Sequence, residues 1–144
     1  MIELNTFKKL LEENEHRFPL LTLDEFFNEN TSEDSIAPNQ WGWGRPPLAE
    51  MWKMLQKVEL LPDIAWVRVA LHDDTEIQEC NGKEVLNLAG ESIVLCTTAQ
   101  PAEIEALVNC KWLCSDGVID ATLNIYSCIP TIPEGFTCLE IVWD

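Results

Sequence analysis

Apolar positions early in the chain recur at helical spacing. Phe7, Leu10 and Leu11, continued by Phe18, mark one face of a helix that Asn5 or Thr6 caps and Pro19 stops. Thr22-Leu-Asp-Glu25 then has the form of a capping box, in which the hydroxyl accepts a first-turn amide and Glu25 reaches back. Leu23, Phe26 and Phe27 supply the apolar side of that short second helix. Asn28 to Asn39 is polar and irregular, and Trp41-Gly-Trp-Gly-Arg-Pro-Pro47 cannot be regular structure. Leu48, Met51, Trp52, Leu55 and Val58 return to spacings of three and four, with Pro46 or Pro47 in the first turn, and predict a third helix that ends near Pro62.

From Ile64 the period changes to two. Ala65 to Leu71 places Trp66, Arg68 and Ala70 on one face of a strand and Val67, Val69 and Leu71 on the other. Glu76–Cys80 and Lys83–Leu86 flank Asn81-Gly82, both of which tolerate positive φ, and so predict a hairpin. Ser92–Thr97, Ala121–Tyr126 and Thr137–Val142 read as further strands. Pro101 opens a helix through Ile104, Leu107 and Val108. Helices followed by strands, with one inserted helix and no βαβ alternation, predict an α+β fold: N-terminal helices packed on a largely antiparallel β-sheet. No linker or repeat divides the 144 residues, so residues 1–144 are expected to form one domain.

Composition changes the picture mainly through charge. Hydrophobic residues are 47% and charged residues 24%, an ordinary globular mix with enough apolar material for a core. The net charge, however, is −16. A field of that sign repels phosphates and anionic lipid, and the few Lys and Arg are scattered, so neither nucleic acid nor a membrane is expected as a partner. The start of the chain shows no basic region followed by an apolar one, which points to a cytoplasmic protein with reduced thiols. Cys80, Cys96, Cys110, Cys114, Cys128 and Cys138 sit mostly in apolar, strand-like contexts, and only Cys110 and Cys114 form a close pair. No metal and no cofactor is expected.

Three stretches carry candidate chemistry. In Trp41–Pro47 the tryptophans either fold back over the core or, with Arg45, form a recognition anchor, since Trp and Arg supply many binding hot spots. Asp73, Asp74, Glu76 and Glu79 form an acidic group around a turn, and Asp24, Glu25, Glu29, Glu33 and Asp34 form another. His72 beside Asp73 and Asp74 has the makings of an acid/base group, although no nucleophile motif accompanies it, and the same residues read simply as a turn. His16 is expected late in the first helix, offsetting its dipole.

The functional expectation is an acidic cytosolic binding protein, monomer or homodimer, that neutralises a basic protein partner as an immunity protein neutralises a toxin. Trp41, Trp43 and Arg45 would be the anchor, with Asp73, Asp74, Glu76 and Glu79 as the charged surface. The alternatives are a small hydrolase or small-molecule-binding enzyme using His72 with Asp73 or Asp74, and a structural or adaptor domain.

Overall fold

The computed structural model describes residues 1–144. Helix α1 (Leu4–Glu13), α2 (Leu23–Phe27) and α3 (Leu48–Glu59) precede strand β1 (Ile64–Leu71). A hairpin of β2 (Glu76–Cys80) and β3 (Lys83–Asn87) follows, then β4 (Gly90–Thr97), α4 (Pro101–Val108), the single turn α5 (Cys110–Leu113), β5 (Gly117–Asp120) and β6 (Thr137–Val142). The main sheet is antiparallel in the order β1-β4-β6-β5, and the hairpin stands apart from it. The fold is α+β, with the helices preceding the sheet as the periodicity predicts.

The period-two pattern of β1 works on both sides. Val67, Val69 and Leu71 enter the main core with Phe7, Phe26, Met51, Leu55 and Ile104. Burial of each such side chain contributes ~1.5–3 kcal/mol, which is why these helices dock rather than fray. Trp66 and Ala70, on the opposite face, join Leu20, Val94, Cys96 and Tyr126 in a second, smaller cluster. That cluster is roofed by the chain between β5 and β6, where the Trp66 indole donates to the Thr131 carbonyl at 3.0 Å and the Tyr126 hydroxyl to the Leu71 carbonyl at 3.3 Å.

Both margins of the main sheet are met by other parts of the chain, β1 along much of its length and β5 at Val118, which lessens the pairing hazard of bare strand edges. On β1, Val69 exchanges two backbone bonds with Leu21, at 2.8 and 3.0 Å, while the Val67 amide donates to Glu59 at the end of α3. On β5, the Val118 amide donates to Glu105 of α4 at 3.2 Å. Nothing of this kind covers the hairpin.

Three local readings need correction. The cap of α1 is Glu3, not Asn5 or Thr6, and the helix ends at Glu13, well before Pro19. Asn14 turns its side-chain amide back to the Leu10 carbonyl, and Glu15 and His16 take positive φ. His16 therefore lies beyond the helix, its amide donating to the Leu11 carbonyl at 2.8 Å. The third helix ends at Glu59 with Leu60 as its cap, near Pro62 as the sequence predicts. Ala121–Tyr126 is not a strand: the Tyr126 amide closes a turn on the Leu123 carbonyl, and Leu123 and Tyr126 pack on the second cluster. The strand that pairs with β6 is Gly117–Asp120, too short to show a period. No helix is long and apolar enough to cross a membrane.

Candidate functional site

The loop between α2 and α3 is held from within. Thr22 and Glu25 form the expected capping box, which fixes the direction in which the chain leaves α2. The chain then folds over Arg45, whose side chain is fully enclosed. The guanidinium donates to the Glu33 carboxylate at 2.8 Å, the Ile36 carbonyl at 2.6 Å, the Pro46 carbonyl at 3.0 Å and the Glu33 carbonyl. Loss of hydration pulls its pKa below the ordinary arginine value, and Glu33 and Asp34 oppose that shift. The same Glu33 oxygen accepts the Leu48 amide at 3.0 Å and so caps α3, where Pro47 offers no side chain to do it. Trp41 lies over the guanidinium at 4.6 Å, and Trp43 is 83% exposed.

The expected anchor is thus divided. Arg45 is interior and organises the loop, which removes it from any surface that a partner touches. Trp41 is partly covered by its stacking on Arg45. Trp43 alone stands free.

Beside this loop runs an open groove of about 780 Å³. One wall is the chain from Glu29 to Asn39, and the other is the run Val85–Glu91 that leaves the hairpin and enters β4. The walls meet where Ile36 bridges Gly90 in parallel. A Cβ on Gly90 would stand 3.0 Å from Ile36 carbons, so glycine permits this contact. Glu29, Asp34, Asp74, Glu91 and Asp144 line the groove together with His72, and no lysine or arginine does.

His72 is set by its turn. Its Nδ1 accepts the Asp74 amide at 2.9 Å, which leaves the ring proton on Nε2, 3.6 Å from the Glu91 carboxylate. The acidic group Asp73, Asp74, Glu76 and Glu79 does not act as one surface. Asp74 faces the groove, whereas Asp73 lines a second cleft of about 650 Å³. Glu76 and Glu79 lie on exposed β2 and line neither.

The second cleft shares Glu91 with the groove and adds Glu140, Tyr126, His16 and Arg17. Burial holds the Glu140 carboxyl above its ordinary range; the Ser92 hydroxyl, donating at 2.9 Å, opposes the shift and Glu91 adds to it. Burial likewise raises the Tyr126 hydroxyl to about 12, with Glu91, Glu140 and Asp73 contributing. Glu91 thus lies between the carboxylates of the groove and those of the second cleft, Asp73 and Glu140, where Arg17 also stands. Neither Glu91 nor Glu140 was singled out in the sequence, where they stand in ordinary strand contexts. Only the antiparallel pairing of β4 with β6, with Ser92 reaching Glu140, brings them together.

The six cysteines are free, and none lines either cleft. Cys96 and Cys138 face each other across β4 and β6, and burial raises the Cys96 thiol to about 12. No three His, Cys, Asp or Glu side chains are grouped to hold a metal ion.

The fold and groove define an acidic α+β protein with a carboxylate-lined cleft. The chain belongs to the family described as "Uncharacterized protein YfbO family", whose profile matches residues 2–141. No match was found among curated proteins or among solved structures.

Proposed function

We propose that this protein is an acidic, cytoplasmic binding protein that neutralises a basic protein partner, in the manner of an immunity protein acting on a toxin. The observation that carries the reading is the groove, lined by carboxylates and by no lysine or arginine, in a molecule that also leaves Trp43 83% exposed. Carboxylates at close quarters, with no lysine or arginine among them, repel one another. A cationic surface set against them relieves that repulsion and is steered to it by the net charge of −16. Trp43 supplies an apolar anchor at low entropic cost, because its loop is already fixed by Arg45. A toxin that binds substrate phosphates through lysines and arginines would have those side chains occupied.

The test is capture from host lysate on the immobilised protein at low and at high salt. A basic protein retained in stoichiometric amount and released by salt supports the reading. Recovery of no basic protein at low salt overturns it.

A second reading rests on His72, whose fixed tautomer presents Nε2–H to Glu91 inside a groove. This is the arrangement of an acid/base group for a small molecule. Binding of small molecules to the groove that His72→Gln abolishes would favour it over a protein partner.

A further inference from the structure

Val85, Leu86 and Asn87, the last three residues of β3, all line the groove, so its wall there is made of consecutive residues and not alternate ones. The face of a strand offers every second residue, so a wall of successive residues is a strand edge. No residue of β2 lines the groove, which places the groove on the far side of β3 from its partner. Register fixes which backbone groups point there. Asn81 and Gly82 both have positive φ, and the pair that closes such a two-residue hairpin exchanges its amide bonds. Cys80–Lys83, Gln78–Val85 and Glu76–Asn87 are then the bonded pairs, so Glu84 and Leu86 turn N–H and C=O outward. No loop or helix backbone bonds to either residue. The margins of the main sheet are met by Leu21, Glu59 and Glu105, whereas no such contact reaches this one.

We infer that the unpaired edge of β3 receives an extended basic segment of the partner protein as an added strand, which pairs with Glu84 just outside the groove and enters the groove beside Leu86. The inference rests on the proposed function and specifies how the partner is held. The backbone bonds would come from β3, and lysine or arginine side chains on the added strand would meet Asp34, Asp74 and Glu91. Val85 and Pro38 give the alternate side chains an apolar surface. A second copy of this chain is a poor occupant, because it would bring a charge of −16 to a wall of carboxylates.

The probe is a capped peptide of alternating lysine and valine, about eight residues long, enough to run the length of β3. Its counterpart carries N-methyl groups on alternate amides, keeping charge and length while removing donors. Binding is followed by amide exchange and titration at low salt on the full chain. In saturating peptide the Glu84 and Leu86 amides should exchange more slowly by about tenfold or more, and N-methylation should weaken binding by about tenfold, the loss of one or two backbone bonds.

Two variants locate the edge. Glu84→Pro removes an outward N–H from β3, and Glu79→Pro does the same on β2, away from the groove. Only Glu84→Pro should weaken the peptide; Glu84→Ala, which also loses the ion pair with Lys8, should bind as wild type does. Equal binding of the methylated and parent peptides overturns strand addition while leaving the charged groove, and with it the proposed function, in place. Failure of both peptides to bind also overturns strand addition, and the proposed function is then judged separately by the lysate capture. Self-association of the wild-type chain that Glu84→Pro abolishes would make a second copy the occupant and equally overturn it.

Discussion

Arg45 and Glu33, twelve residues apart, meet at 2.8 Å with the guanidinium fully buried and the carboxylate partly open to water. The pair joins three things: the loop that forms one groove wall, the tryptophan loop, and the first turn of α3. Arg45→Ala leaves two buried carbonyls and a carboxylate without their donor, so it should lower stability by about 2–4 kcal/mol. Arg45→Lys should recover only part of that, because an ammonium cannot match acceptors arranged for a planar fork. Urea unfolding measures both; an Arg45→Ala protein as stable as wild type would contradict the account.

Trp43 behaves oppositely. It buries almost nothing, so Trp43→Ala should change stability by less than about 0.5 kcal/mol. The same substitution should weaken the captured partner by about tenfold or more, as loss of an aromatic anchor does. A stable Trp43→Ala protein with undiminished affinity would remove Trp43 from the interface.

Gly90 sets the base of the groove. A methyl group there meets Ile36, itself completely buried, at 3.0 Å. Gly90→Ala should cost about 1–3 kcal/mol of stability through overpacking. It should also move the chain around Ile36, visible as amide shifts along the groove wall. Unchanged shifts for residues 34–38 would show that the contact is looser than described.

Glu140 gives a pH signature. Its carboxyl titrates above the ordinary range because it is buried, so its ionised form costs the folded state stability at neutral pH. That cost disappears as pH falls through the folded pKa and is absent once the carboxyl is protonated in both states. Glu140→Gln, which still accepts from Ser92, should therefore stabilise the protein at neutral pH and lose this advantage in acid. Unfolding curves of both proteins across the acid range test the sign; a variant less stable at neutral pH would reverse it.

Much of the fold was legible because its signals are local. The Thr22 capping box, the Asn81-Gly82 turn and the two faces of β1 all fall where periodicity puts them. The site was less legible because it is made by pairing. Asp34 reaches the groove from a loop, Asp74 from a turn and Glu91 from the start of a strand, and sequence spacing does not show that these converge. Asp73 and Asp74 are adjacent yet serve different clefts, because they follow one another around the turn after β1. Residue type alone makes Arg45 look like an anchor. Its burial depends on Glu33 and Ile36, which a loop reading leaves unplaced.

The central claim is that the groove, and not net charge alone, holds a basic protein. Its most direct test compares two triple reversals with the same change in net charge: Asp34→Lys, Asp74→Lys and Glu91→Lys in the groove, and Glu12→Lys, Glu13→Lys and Glu15→Lys around α1. Association rate and affinity for the captured protein are measured against ionic strength. The groove variant should lose affinity by about a hundredfold or more and flatten the salt dependence, while the α1 variant changes the association rate only modestly. Equal losses from the two variants would reduce the effect to net charge and contradict the claim.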